Sequence, residues 1–400
     1  MTTTDATLID RARAILGEAP VVDGHNDLLW EARLRAGYDF DRLDIALPRP
    51  ELMTDVDRVR AGCLGGQFWS VYVPSDLPGD TAVTATLEQI DGYHELLRRY
   101  PEVFERARTA DDVVRITGAG RVASMIGVEG GQSIGASLGA LRMLARLGAG
   151  YMTLTHNHNN AWADSANDEP VHGGLTRFGE EVVREMNRLG VLVDLSHVSP
   201  DTMRHAIGVS DAPVIFSHSN ARGVCDHRRN VPDDVLETVG RTSGVVMVTF
   251  VSPFLTEENA AYWREAEPEM DRLEAEHKDD LPAIAAGIEA YRAEHPEPEV
   301  TPAHVADHID HIRDAAGVDH IGIGGDLDGT FAAARGLDDV SGYPNLAAEL
   351  LSRGYSEEAV AKISQGNILR AMRESEAVAN RLQAERGPSL ARIADLDAQS

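Results

Sequence analysis

Cysteine is nearly absent. The 400 residues hold two, Cys63 and Cys225, neither in a CxxC pair, so a disulfide framework is excluded and both read as buried small hydrophobes. Lysine is as scarce: of 37 basic residues only Lys278 and Lys362 are lysines, which limits the chemistries available below. No stretch approaches the roughly 18 apolar residues of a membrane span. Met1-Thr2-Thr3-Thr4-Asp5 has neither the basic start nor the apolar stretch of a secretory leader, so the expectation is a cytoplasmic chain with no membrane partner. Positive charge is in deficit, 37 basic against 65 acidic residues for a net −28, which repels nucleic acid and anionic lipid. The apolar share, 43%, is enough to bury a large core and excludes a disordered or collagenous chain.

Short apolar, β-branched runs that end in Gly, Asp, His or Ser alternate with amphipathic helical stretches, the pattern of a parallel sheet. The runs are Pro20 to Asp23, Gln67 to Val73, Val122 to Val128, Tyr151 to Thr155, Val191 to Leu195, Pro213 to Ser217, Val245 to Phe250 and His320 to Gly324. Eight such runs predict an α/β fold, a closed (β/α)8 TIM barrel. Helical stretches at Thr86 to Arg99, Ser137 to Leu147, Phe178 to Leu189 and Ala303 to Ala315 would form the outer ring, with Gly148 and Gly190 as helix stops. Leu346 to Leu351 and Glu357 to Glu376 are helical in pattern too. Residues 1–385 are expected to form one barrel domain. An acidic helical insertion, about 257–298, sits between the seventh and eighth runs beside the mouth. Residues 386–400 read as a loosely held tail.

In such barrels the chemistry lies just past the C-terminal ends of the strands. The first run ends in Asp23-Gly24-His25-Asn26-Asp27, the third in Val128-Glu129-Gly130-Gly131, the fourth in Thr155-His156-Asn157-His158, the fifth in Asp194-Leu195-Ser196-His197, the sixth in Ser217-His218 and the eighth in Gly324-Gly325-Asp326-Leu327-Asp328. His, Asp and Glu converging on one rim are the ligand set of zinc or a similar metal, and an HxD pair directs alternate residues the same way. His25, Asp27, Glu129, His197 and His218 are five candidate ligands, more than one catalytic ion needs, so two Zn2+ per chain are expected. With both lysines in helical segments away from the strand ends, a carboxylated lysine is not available as a bridge, and Glu129 takes that place. Glycines behind it would allow close approach of backbone and metals. Asp326 is placed to carry a proton from water to a leaving amine, with Asp328 as its rival. His156 could donate to the oxyanion of a tetrahedral intermediate. In Arg228-Arg229-Asn230 an arginine could hold a carboxylate in a two-pronged hydrogen bond. Asp194 reads as a supporting acceptor. His304, His308 and His311 share a helix face before the eighth run, and His172 and His320 are misplaced for ligands, so all five read as structural.

These motifs resemble the membrane (renal) dipeptidases, binuclear zinc enzymes of the amidohydrolase superfamily. The likeness runs from about Pro20 to about Arg373, on Val22-Asp23-Gly24-His25-Asn26-Asp27-Leu28, Gly65-Gly66-Gln67-Phe68-Trp69-Ser70-Val71-Tyr72, Gly127-Val128-Glu129-Gly130, Leu154-Thr155-His156-Asn157, Asp194-Leu195-Ser196-His197-Val198-Ser199, Val214-Ile215-Phe216-Ser217-His218-Ser219, Arg228-Arg229-Asn230-Val231-Pro232-Asp233-Asp234 and Gly324-Gly325-Asp326-Leu327-Asp328-Gly329. The resemblance implies that His25 and Asp27 bind one zinc, His197 and His218 the other, and that Glu129 bridges. It also implies that His156 contacts the scissile carbonyl oxygen, Arg229 holds the substrate's terminal carboxylate and Asp326 shuttles the proton. The animal members are secreted, lipid-anchored and disulfide-linked, whereas this chain looks like a soluble bacterial-type relative. The loop from Ala163 to Gly174 and the stretch after Phe250 depart from the animal pattern.

The expected function is hydrolysis of free dipeptides, including those with a C-terminal D-residue, by attack of a metal-bridging hydroxide. Two alternatives stay open: a hydrolase of β-lactams or other small cyclic amides with the same centre, and a non-catalytic metal-dependent binding protein. A small dipeptide is the expected partner, and a homodimer is left open.

Overall fold

Apolar β-branched segments too short to be helices pair side by side here because each is flanked by a capped helix that returns the chain to the same end of the sheet. The computed structural model describes residues 3–278 and 280–397. Its strands are β1 (Val21–Asn26), β2 (Leu64–Tyr72), β3 (Phe104–Arg106), β4 (Val122–Glu129), β5 (Ala149–Thr153), β6 (Leu192–Asp194), β7 (Val214–Phe216), β8 (Val245–Val248) and β9 (Ile321–Ile323). All pairings are parallel. The order β2-β1-β9-β8-β7-β6-β5-β4 closes on itself through β2 against β4, Gly66 opposite Ala123 through Tyr72 opposite Glu129. The result is a (β/α)8 barrel whose eight strands are the eight runs read from the sequence. The additional strand β3 escapes that reading because three residues show no period. It pairs with the first residues of β4, Phe104 opposite Val122, on the side that β5 joins only from Ile126.

The ring helices start and stop where local chemistry directs. Ser137 and Thr176 accept a backbone N–H from Ala140 and Gly179, and Gly148 and Gly190 close the helices Leu138–Leu147 and Arg177–Leu189 with positive φ. Between β8 and the ring helix Pro302–Ala316 that precedes β9, the chain forms the helices Glu257–His277 and Leu281–Glu294, which share a small core of Leu273, Ile284 and Ile288 with Trp263 and Met270 against it. Glu297 anchors their base, accepting from Trp263 Nε1 at 2.9 Å and pairing with Arg292 at 2.9 Å. At the other end of the chain, Ser389 donates to Glu181 at 2.9 Å, its carbonyl accepts from Arg142 at 2.8 Å, and Asp397 accepts the Phe178 N–H. These contacts belong to the stretch expected to be a loose tail, of which residues 398–400 lie outside the described residues.

The barrel interior is narrow, and this fixes glycine next to the first ligand. A Cβ on Gly24 would lie 2.3 Å from the Ser217 carbonyl oxygen, so β1 and β7 approach as closely as they do only with glycine there.

Candidate metal centre

Glu129 ends β4 and sits at the middle of the mouth. Its Oε2 faces His25 Nε2 at 3.4 Å and accepts the Ser70 hydroxyl at 3.1 Å. Its Oε1 faces His197 Nε2 at 3.1 Å, His218 Nε2 at 3.7 Å and His156 Nε2 at 3.8 Å. One carboxylate therefore serves two sets of ligand atoms, one with each oxygen. On the Oε2 side, His25 Nε2 meets Asp27 Oδ2 at 3.2 Å and Asp326 Oδ1 at 4.0 Å. On the Oε1 side, the Nε2 atoms of His197 and His218 come within 2.9 Å of each other.

Hydrogen bonds behind the rings fix which nitrogen faces inward. The Tyr151 hydroxyl donates to the Gly24 carbonyl at 3.0 Å, so it can only accept from His25 Nδ1 at 2.8 Å, and the Nε2 lone pair is left toward the centre. On the other side the Ser217 hydroxyl donates to Asp194 at 2.6 Å and accepts from His218 Nδ1 at 2.8 Å, with the same result for His218. Asp194 also accepts from Thr153 Oγ1 at 2.5 Å and from the Ser196 and Ser217 N–H groups, the supporting role expected of it. Asp23 plays the matching part under β1. It accepts from the His25 N–H, Gln67, the Gly325 N–H and the Tyr343 hydroxyl, and burial still raises its pKa. His197 (φ 67) and Asp326 (φ 59) adopt left-handed backbone, a conformation that costs a non-glycine residue about 1 kcal/mol or more and clusters at functional sites.

The electrostatics divide along the same line. Burial opposes charge on His25, but Tyr151, Glu129 and Asp27 favour it and prevail, raising its pKa well above the usual imidazole range, so Nε2 carries either a proton or, in its place, a cation held by the lone pair. Burial lowers His197 and His218 strongly and His156 less, with Arg229 adding to each. Asp326 is pushed up by burial and by Asp27 and Glu129, against the pull of His25 and Arg229. Arg229 is only 3% exposed, burial brings its pKa down to about 10, and its Nε and Nη1 atoms have no hydrogen-bond partner.

All the expected site residues are thus brought to one mouth. Of the neighbouring arginines, Arg228 turns away to the Asn167 carbonyl at 3.3 Å, and Arg229 is the one electrostatically coupled to Glu129 and Asp326. Between the rival aspartates, Asp328 turns to the Met53 N–H at 2.6 Å and is raised to about 7 by burial, while Asp326 faces His25. The five set-aside histidines all find structural partners: His304 with Thr301, His308 with Ala221 and Leu255, His311 with Asp233, His172 with the Asn160 carbonyl and His320 with the Gly244 carbonyl. Of the close approach expected at the glycines behind Glu129, the backbone part is visible: a Cβ on Gly131 would lie 2.5 Å from the Leu154 carbonyl oxygen. Gly130 also takes φ +99, and a Cβ on Gly131 would lie 2.3 Å from Trp162, so the turn and its packing need glycine there as well. Ser70 and Tyr151 were missed. Ser70 is a polar residue inside an apolar run, which signals a buried hydrogen bond, whereas Tyr151 inside a strand reads as core.

The donor set fits a divalent metal. His25 Nε2 is buried without a hydrogen-bond partner, and three overlapping groups of ligand atoms lie within 4.8 Å: His25, Glu129 and His218; Glu129, His156 and His197; His25, Asp27 and Asp326. A closed parallel barrel with such a centre at its C-terminal mouth defines a metal-binding enzyme of the (β/α)8 class. The sequence model of the membrane dipeptidase family, peptidase family M19, matches residues 9–386, and the chain belongs to that family. It is a metallo-dipeptidase, a peptide-bond hydrolase.

Dipeptidase verJ of Clonostachys rogersoniana is 39% identical over 386 residues, covering 94% of this chain and 89% of that protein. A metallo peptidase from Rhodobacter sphaeroides, solved with a phosphinate mimic of the dipeptide L-Ala-D-Ala, is 26% identical with a TM-score of 0.73, covering 89% of this chain and 99% of that one. The probable dipeptidase PvdM from Pseudomonas aeruginosa shares the fold at a TM-score of 0.79 and 23% identity, over 93% of this chain and 99% of that one. Among the described residues no helix is long and apolar enough to cross a membrane.

Proposed function

We propose that this dipeptidase holds two zinc ions and cleaves free dipeptides in the cytoplasm, including those with a C-terminal D-residue. One observation carries the reading: the two oxygens of Glu129 face separate ligand sets, His25 with Asp27 and His197 with His218, beside a buried arginine with unpartnered nitrogens. The D-residue preference draws on the Rhodobacter sphaeroides relative with its L-Ala-D-Ala mimic. His25 and Asp27 would hold one ion, His197 and His218 the other, with Glu129 shared. When bound, the ions supply Lewis acidity and lower the pKa of water in the site.

The chain's own residues do the rest. Arg229 receives the substrate's terminal carboxylate in two parallel N–H···O bonds from Nη2 and one of its orphaned nitrogens, Nε or Nη1, which fixes the distance to the single amide bond. His156 donates a ring N–H to the carbonyl oxygen as negative charge develops there. Asp326 accepts the proton of the attacking water at Oδ1 or Oδ2 and delivers it to the amide nitrogen as the C–N bond breaks. Its burial between Asp27 and Glu129 favours the protonated form, and nearby cations would restore its basicity.

The test is a stereochemically complete dipeptide set beside β-lactams and C-terminally amidated dipeptides, with metal stoichiometry measured on the same preparation. Free dipeptides should lead. Arg229→Ala should lower kcat/KM on them about 100-fold and leave the slow amidated substrates unchanged. Equal turnover of free and amidated dipeptides by the unaltered enzyme, or one ion per chain, would overturn the reading.

A further inference from the structure

Arg229 is held without polar contacts at its Nε and Nη1 atoms, so its placement has to come from what packs on it and from the backbone that carries it. The packing is Phe254, whose ring centroid lies 5.2 Å from the guanidinium carbon, with His227 stacked on the same ring at 4.5 Å. Phe254 belongs to the turn Ser252–Phe254 that follows β8, and Arg229 to the loop that follows β7. Among the side chains that join these segments, two bond to the turn that carries Phe254 and its end. Asn230 Nδ2 donates to the Phe254 carbonyl at 2.8 Å and to the Cys225 carbonyl at 2.9 Å. His308 comes from the helix Pro302–Ala316 and is fully buried. Its Nδ1 accepts the Ala221 N–H at 3.1 Å, where the arginine loop begins, and its Nε2 donates to the Leu255 carbonyl at 3.0 Å, where the phenylalanine turn ends. Burial keeps this imidazole neutral, at a pKa of about 4, as one acceptor and one donor require.

We infer that His308 is a positioning residue for substrate-carboxylate recognition, clamping the Arg229 loop to the Phe254 turn so that the guanidinium is fixed before substrate arrives. The inference rests on the assignment of Arg229 to the substrate carboxylate. An apolar side chain in place of His308 would leave a buried N–H and a buried C=O unpaired, and the two segments would part at that seam. The reacting groups at Glu129, His25 and Asp326 come from other strands and only His218 shares the segment with Ala221, so with metal content unchanged the damage should appear in substrate capture and not in the chemical step.

His308→Leu and His308→Gln separate this from a general structural role, since glutamine retains an acceptor and a donor. Steady-state constants are measured on a free dipeptide and its C-terminal amide, in the wild-type and Arg229→Ala backgrounds, with metal content of each variant. His308→Leu should raise KM for the free dipeptide about tenfold with kcat within about twofold, leave the amide unaffected, and add nothing on top of Arg229→Ala. His308→Gln should recover most of the loss. Should His308→Leu not fold, Phe254→Leu carries the same expectation because it removes the ring from the guanidinium. Equal losses on both substrates, an undiminished effect without Arg229, or no recovery by glutamine would overturn the clamp. An Arg229→Ala enzyme that keeps the wild-type preference for the free dipeptide over its amide would instead overturn the carboxylate reading, and the clamp with it.

Discussion

On the Oε2 side of Glu129, His25 lies among Asp27, Asp326 and the glutamate itself; on the Oε1 side, His197, His218 and His156 converge with Arg229 in electrostatic reach. The four rings share residue type and low exposure, yet His25 is driven up in pKa and the other three down. Burial alone lowers every one of them. The sign is decided by what acts beside burial: Tyr151, Glu129 and Asp27 outweigh it at His25, whereas Arg229 adds to it at the other three. The carboxylate-rich half is the one that favours positive charge, and the imidazole half the one that Arg229 makes less favourable to it.

The largest effect that would sharpen this contrast is on the anionic half. Asp326→Asn should lower kcat by 10²–10⁴-fold with metal content unchanged, measured by steady-state kinetics and elemental analysis. Loss of metal instead would make Asp326 a ligand. Next comes acid stability behind the imidazole half. His308 has a folded pKa of about 4 against an ordinary 6.5. Its neutral state therefore contributes fully above pH 6.5, and the contribution is lost as pH falls from 6.5 through 4. Wild-type should lose roughly 3 kcal/mol more than His308→Gln between pH 7 and pH 4 in urea unfolding, other groups cancelling between the two. The smallest effect compares the two supports. Tyr151→Phe removes the acceptor behind His25 and Ser217→Ala the one behind His218, and each should weaken metal binding 10–100-fold at one site only, read by competition with a chromogenic chelator. Equal loss from both sites in either variant would break the comparison.

Much of this was legible along the chain. The eight apolar runs, the helix-stopping Gly148 and Gly190, and the polar residues past the strand ends follow from periodicity and from where a barrel exposes its chemistry. Three residues such as Phe104–Arg106 carry no period, and Tyr151 in an apolar run is indistinguishable from core until its hydroxyl is seen between Gly24 and His25. The histidines of the helix before β9 read alike, at positions 304, 308 and 311, because spacing reports a shared face and not depth.

The order of residue types by itself determined the closed parallel barrel, the mouth at which histidines and carboxylates gather, and the presence of a glutamate and no lysine among them. Those depend on local period and composition, which a chain carries wherever it goes. Tertiary structure decided which oxygen of Glu129 meets which ring, that Arg229 and not Arg228 turns inward, and that His308 alone of its helix face is sealed between two loops. These are contacts between residues tens to hundreds of positions apart, and only closure of the barrel sets their distances.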